Sequence, residues 1–160
     1  MSDINIRVAE ESDSAIILGF ITELAIYENA EVEVVATIDD IQESIFGDTS
    51  TVKALICSRG DAPVGFAVYF FNYSTWLGRK GLYLEDLYVS PNHRGSGAGK
   101  ALLVHLAKIA FSENCGRFEW NVLGWNEPAI QFYRGLGALP QDGWINYRLD
   151  KKGIKTLANN

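Results

Sequence analysis

The chain has little with which to build metal or disulfide chemistry: of its 160 residues only two are cysteine and two histidine. Cys57 and Cys115 lie 58 positions apart (115 minus 57), outside any CxxC or zinc spacing, and read as buried thiols. His93 and His105 are not spaced as a metal pair, and no HExxH or Ser/His/Asp arrangement is present. Basic charge is also short, with 14 Lys+Arg against 20 Asp+Glu and a net charge of -6. That balance disfavours nucleic acid and anionic membranes as main ligands and favours cationic ones. No apolar run approaches the roughly 20 residues needed to cross a bilayer. The opening MSDINIRVAEESD lacks the basic and apolar regions of a signal peptide. The expectation is a cytosolic protein. Repeats, low-complexity segments and linkers are missing too, so residues 1–160 are expected to form one domain of ordinary globular composition, 48% hydrophobic and 21% charged.

What is present alternates between strand and helix periods. INIRVA has period two, and after Ser12-Asp13 the residues Ile16, Ile17, Phe20, Ile21 and Leu24 recur at helical spacing. An acidic loop, NAEVEVVA, leads to Thr37-Ile38-Asp39-Asp40, which resembles a capping box for a short helix ending near Gly47. TVKALICS and VGFAVYFFNY, separated by RGDAP, predict a hairpin. WLGRKG reads as a loop, and LYLEDLYV as a strand interrupted by two adjacent acids, Glu85 and Asp86. Past Pro91, a glycine-rich turn opens a helix carrying Leu102, Leu106, Ile109 and Ala110. RFEWNVL is a further strand, EPAIQFYRGLG a short helix with Asn126 as N-cap, WINYRLD a last strand, and KKGIKTLANN a helical tail. The order β-α-α-β-β-β-α-β-α-β predicts an α/β fold with a mixed central sheet flanked by helices.

The strongest chemical signal is Arg94-Gly95-Ser96-Gly97-Ala98-Gly99-Lys100, placed between strand and helix. At a helix N-terminus the first amides lack intrahelical partners and the dipole is positive, which suits phosphate. A P-loop would need Gly at position 94 and Ser or Thr at 101, where the chain has Arg94 and Ala101. A dinucleotide fingerprint would need Gly at 100, where it has Lys100.

What remains, Arg94-x-x-Gly97-x-Gly99, resembles the pyrophosphate-binding motif of the GCN5-related N-acetyltransferases (GNAT). The resemblance extends over nearly the whole chain. ELAIYE in the first helix, YLEDLYV, RGSGAGKALL, WNEPAIQFY and the late DGW are similar to segments of the diamine acetyltransferases, the spermidine/spermine and thialysine branch of that superfamily. The resemblance implies a single-domain GNAT fold, acetyl-CoA as cosubstrate, no metal, a small amine as substrate and a homodimer.

It also implies roles. Leu87, Tyr88 and Val89 would offer backbone groups to the pantetheine arm where two parallel strands splay apart, and Asn126 would bond the same arm. Arg94, Gly95, Ser96, Gly97, Ala98, Gly99 and Lys100 would hold the pyrophosphate through main-chain donors. Tyr133 would protonate the departing thiolate, since a phenol with a pKa near 10 can serve as a general acid. Glu85 would act as base, directly or through water, with a pKa raised by burial among Tyr83, Leu84 and Leu87. Tyr27, Glu28, Ser74, Thr75, Trp76, Glu85, Asp86, Asp142 and Trp144 would border the amine, carboxylates with aromatic faces suiting a cation. Polyamine members carry Asp-Pro before the loop tryptophan, whereas Ser74-Thr75-Trp76 looks like the thialysine-acetylating members. The expected reaction is direct transfer of acetyl to a primary amine of thialysine, a lysine-like molecule or a short diamine. Rival readings are a polyamine or a protein or peptide amine as acceptor, or a CoA-binding sensor without turnover.

Overall fold

The computed structural model describes residues 4–160, so residues 1–3 of the expected domain lie outside the described residues. The chain divides into two compact units, the first ending at Asn121 and the second running from Val122 to Asn160.

The first unit is a five-stranded sheet in the order β1-β2-β3-β4-β5. β1 (Ile4–Val8), β2 (Lys53–Arg59), β3 (Ala62–Ser74) and β4 (Arg79–Val89) pair antiparallel, and β5 (Phe118–Trp120) joins β4 in parallel. The mixed sheet is the one expected from the order of elements. β4 starts earlier than the sequence pattern suggested: Arg79, Lys80 and Gly81 pair with Ser74, Tyr73 and Asn72, so the loop shrinks to residues 75–78. Their side chains are polar, but a long antiparallel partner supplies the hydrogen bonds that hold them extended.

Helix α1 (Ser14–Tyr27) follows a single helical turn in which the Asp13 carboxylate accepts from the Glu10 amide at 2.8 Å and pairs with both Arg7 guanidinium nitrogens at 2.7 and 2.8 Å. The Arg7 partnership, strongest through hydrogen bonding, holds the Asp13 carboxyl below its usual range. α2 (Ile38–Ile41) begins at the expected box, with Thr37 Oγ1 accepting from the Asp40 amide, and widens into a π turn over Gln42–Phe46 before Gly47. α3 (Ala98–Ser112) stops before the expected Gly116.

One face of the sheet carries Ala54, Ile56, Phe66, Val68 and Tyr88 against Ile17 and Phe20 of α1 and Ile41 of α2. Phe20 stacks on Phe66 with ring centroids 5.6 Å apart. The alternate residues Leu55, Cys57, Ala67, Leu82 and Leu84 are buried on the other side, as are Leu102 and Leu106 of α3. Cys57 is the buried thiol expected, with its pKa pushed up by burial, and Cys115 is half-buried.

In the second unit, α4 (Glu127–Gly135) has Asn126 as its N-cap, and α5 (Lys151–Ala158) is capped by Asp150, whose Oδ1 accepts from the Gly153 amide at 2.7 Å. WINYRLD does not form the expected strand within this unit: residues 144–150 carry no regular element. A strand needs a neighbour to supply its ladder, and this unit contains no strand among its residues.

Candidate functional site

Pairing between β3 and β4 slips by one residue in the middle. Tyr69 faces Leu84 and Val68 faces Asp86, leaving Glu85 with no residue opposite. This is a β-bulge, and it reverses the phase of β4. Before it, Leu82 and Leu84 turn to the α3 side; after it, Leu87 and Val89 take that side, while Asp86 and Tyr88 face α1. Glu85 itself is exposed, contrary to the burial among Tyr83, Leu84 and Leu87 that a base at this position was expected to have. The extra residue is extruded from the ladder and has no inward position to occupy. Asp86 is the half-buried acid, and its pKa is pushed up to about 6, chiefly by burial and then by the charges of Glu85 and Glu28. Burial also raises the carboxyl of Glu28, at the end of α1.

β5 pairs with β4 only across Leu82, Tyr83 and Leu84. From Glu85 to Val89, β4 therefore has no β5 partner on that side, although β3 continues opposite Asp86–Val89. The unladdered stretch contains Leu87, Tyr88 and Val89, the residues expected to offer backbone groups to an extended ligand.

The glycine turn follows directly. Gly95 and Gly97 have φ of 71° and 91°, where a side chain would be strained. Gly97 is the N-cap of α3, no side chain caps that end, and the amides of Ala98, Gly99 and Lys100 precede the first bond from Ala101 to the Gly97 carbonyl. At Gly99 neither φ nor crowding requires glycine: an added Cβ would only touch Val89 Cγ2 at 4.0 Å. Glycine there leaves the backbone open to close approach, and free amides at the positive end of a 15-residue helix suit a diphosphate. These residues therefore fit the pyrophosphate of acetyl-CoA.

The side chain of Arg94 is engaged within the protein. Its Nε donates to the Val89 carbonyl at 2.9 Å, and its guanidinium lies 4.8 Å from the Tyr27 ring centroid and 5.3 Å from that of Tyr88. Ser96 Oγ donates to the His93 carbonyl at 2.5 Å, closing the turn on itself. Ser90 Oγ, just past β4, donates to Glu23 Oε2 of α1 at 3.0 Å. Tyr27, Glu28, Asp86, Tyr88 and Arg94 are thus gathered about the end of α1 and the end of β4.

Other expected residues are not brought to that cluster. Ser74 pairs with Arg79, and Val68 with Asp86; seven residues of strand, roughly 23 Å, separate Arg79 from Asp86. Ser74, Thr75 and Trp76 therefore lie at the opposite end of the β3–β4 hairpin from Asp86. Ser74 is buried, and its Oγ accepts from the Leu77 amide at 3.3 Å, which commits the hydroxyl to the turn. Trp76 is exposed. Asn126, Tyr133, Asp142 and Trp144 belong to the second unit. There, Asn126 is buried and its Oδ1 accepts from the Ala129 amide at 3.4 Å. Tyr133 is half-buried on α4 with its ring 5.6 Å from that of Phe132, Asp142 is exposed in a turn, and Trp144 donates its amide to the Gln141 carbonyl at 3.2 Å.

The bulge and the Arg94 stacking were not anticipated. A signal for the bulge exists: the apolar residues Leu82, Leu84, Leu87 and Val89 keep period two except for a step of three across Glu85 and Asp86. Nothing local signals the Arg94 stacking, because Tyr27 is far away in sequence.

A parallel pair that parts beside a bulged strand, followed by an uncapped glycine turn and helix, defines an acyl-CoA-dependent acyltransferase fold. The chain belongs to the GNAT acetyltransferase family, whose model matches residues 11–138 and so crosses the division between the two units. It is an acetyl-CoA-dependent amine N-acetyltransferase. It is 34% identical over 99% of both chains to thialysine N-epsilon-acetyltransferase of Mus musculus. It is 35% identical to the spermidine/spermine N(1)-acetyltransferase-like protein 1 of Homo sapiens, a match that takes in 99% of this chain and 24% of that protein. An integron cassette protein from the mobile metagenome of V. cholerae has a solved structure with a TM-score of 0.83 at 29% identity, covering 100% of this chain and 99% of that one.

Proposed function

We propose that this enzyme acetylates the side-chain amine of thialysine or a closely lysine-like molecule, acting in the cytosol as a homodimer whose residues 1–160 form one catalytic domain. The acceptor assignment is carried by the full-length likeness to thialysine N-epsilon-acetyltransferase, of which three mammalian forms are 34 to 35% identical over 99% of the chain. The net charge of -6 suits a cationic acceptor.

Acetyl-CoA supplies the activated acetyl group. The amides at Gly95–Lys100 hold its pyrophosphate, the backbone of Leu87–Val89 and the Asn126 side chain hold its pantetheine arm, and Tyr133 protonates the departing sulfur. An alkyl ammonium with a pKa near 10.4 is only about 0.04% neutral at pH 7, so the acceptor must first lose a proton. One carboxylate of the Glu85–Asp86 pair receives it. Tyr27 and Glu28 border the amine.

The test is a panel of thialysine, lysine, spermidine, putrescine and an N-terminal peptide, scored by release of free CoA. The expected result is the highest kcat/KM for thialysine. A higher value for spermidine would move the enzyme to the polyamine acetyltransferases, and no turnover with any amine would remove the catalytic reading.

A further inference from the structure

We propose that Glu119, on the α1 side of β5, binds the second positive charge of the acceptor, which in thialysine is the α-ammonium group. This rests on the thialysine reading above and names a specificity-determining residue for it.

Register places the residues concerned on one face of the sheet. On β3, Phe66 and Val68 belong to the core beneath α1, and alternation puts Phe70 on the same side. Tyr83, the partner of Phe70, meets it there with ring centroids 5.2 Å apart. On β5, Phe118 and Trp120 pack on one another at 4.9 Å and pair with Leu82 and Leu84 on the α3 side. Glu119, between them, therefore turns to the α1 side beside its partner Tyr83. Asn121 donates through Nδ2 to the Tyr83 hydroxyl at 2.8 Å and so lies on that face as well. All of these residues belong to the first unit.

This face opens as it leaves the cover of α1. Phe66 and Val68 are buried, Phe70, Tyr83 and Glu119 are half-buried, and Asn121 is exposed. An aromatic floor with a carboxylate at its edge suits a cation.

The bulge sets the spacing. Because Glu85 is left out of the ladder, Asp86 takes the α1-side position next to Tyr83. Glu119 lies one strand across from Tyr83, so the backbones of Asp86 and Glu119 stand roughly 8 Å apart, two residues along and one strand over. Six bonds join the side-chain nitrogen of thialysine to its α-nitrogen, and when extended they also span about 8 Å. With the reacting amine at the Asp86 and Glu28 end, the α-ammonium reaches Glu119. Arg117 Nε lies 2.7 Å from Glu119 Oε1, and Arg117 Nη2 donates to the Tyr73 carbonyl at 2.9 Å, which holds the Glu119 carboxylate in place. The same guanidinium offers a positive charge to the α-carboxylate, so the Arg117–Glu119 pair is complementary to the two opposite charges of an amino-acid head.

The experiment compares the unmodified enzyme with Glu119→Gln on two acceptors, thialysine and 3-(2-aminoethylthio)propanoic acid, which keeps the amine arm and the carboxylate and lacks the α-ammonium. Release of free CoA gives kcat and KM, and urea unfolding checks the fold. Glu119→Gln is expected to raise KM for thialysine about tenfold with kcat changed by less than about threefold, while kcat/KM for the deamino acceptor stays the same or rises. The unmodified enzyme is expected to favour thialysine over the deamino acceptor by about tenfold or more, a comparison that stands whether or not the variant folds. Equal losses with both acceptors, an unchanged KM for thialysine in the variant, or equal use of the two acceptors by the unmodified enzyme overturns the assignment and leaves the acetyltransferase intact. Absence of thialysine turnover in the unmodified enzyme overturns the acceptor reading itself.

Discussion

The guanidinium of Arg94 lies over the ring of Tyr27, 4.8 Å from its centroid, tying the end of α1 to the first residue of the glycine turn. Tyr88 lies 5.3 Å from the same guanidinium, and the Arg94 Nε bond to the Val89 carbonyl fixes the plane of the group. Arginine suits this position because its flat, delocalised cation can stack while its edge donates; an ammonium cannot do both.

Arg94→Lys keeps the charge and loses the stacking and the directed bond. The expected result is a loss of stability of about 1–2 kcal/mol in urea unfolding together with a raised KM for acetyl-CoA, because the glycine turn is no longer held against β4. Unchanged stability and KM would show that the stacking does not position the turn.

Gly99→Val isolates the ligand's claim on the glycine turn from the fold's. The backbone at this position does not lie in the left-handed region and the space beside it is open, so the variant should fold with stability within about 1 kcal/mol of the original. Calorimetry should nevertheless show acetyl-CoA affinity reduced at least tenfold, since the branched side chain would stand where the pyrophosphate approaches. Full affinity in the folded variant would place the phosphate elsewhere.

Tyr133→Phe removes one hydroxyl and keeps the ring beside Phe132. Turnover is expected to fall by roughly 10²-fold or more with little change in acetyl-CoA affinity, the pattern of a lost general acid. Near-normal kcat would return Tyr133 to a packing role.

Asp86 also makes a prediction about stability. Its folded pKa of about 6 stands above the ordinary 3.8, so the folded state binds the proton more tightly than the unfolded one. The associated stability is fully present below pH 3.8 and is lost as the pH rises through 6. Asp86→Asn, neutral at every pH, should therefore be little different from the original at pH 3.5 and more stable by about 2–3 kcal/mol above pH 7. Chemical unfolding at both pH values measures this directly. A variant equally or less stable at pH 7 would mean that burial does not strain this carboxylate, and a more stable but slower enzyme would be the signature of a group kept for chemistry.

Much of this protein is determined locally. The amphipathic spacing from Ile17 through Leu24, the Thr37–Asp40 box, the Asn126 cap and the glycines at 95 and 97 are each decided by a few neighbouring residues. Helix periods, caps and left-handed turns need no distant partner, so α1, α2, α4 and the glycine turn are where the pattern puts them. The sequence also contains the step of three between Leu84 and Leu87 that marks the bulge.

Tertiary structure decided what depends on pairing between distant segments. Whether Glu85 or Asp86 turns inward is a question of register against Val68 and Tyr69, and a one-residue slip exchanges the two faces of the strand. Arg79–Gly81 became strand because β3 reached them. Arg94 meets two tyrosine rings, one of them 67 positions earlier (94 minus 27), because only the packing of α1 on the sheet brings that ring within reach. Which of two adjacent carboxylates is desolvated is fixed by burial, and burial belongs to the folded chain alone.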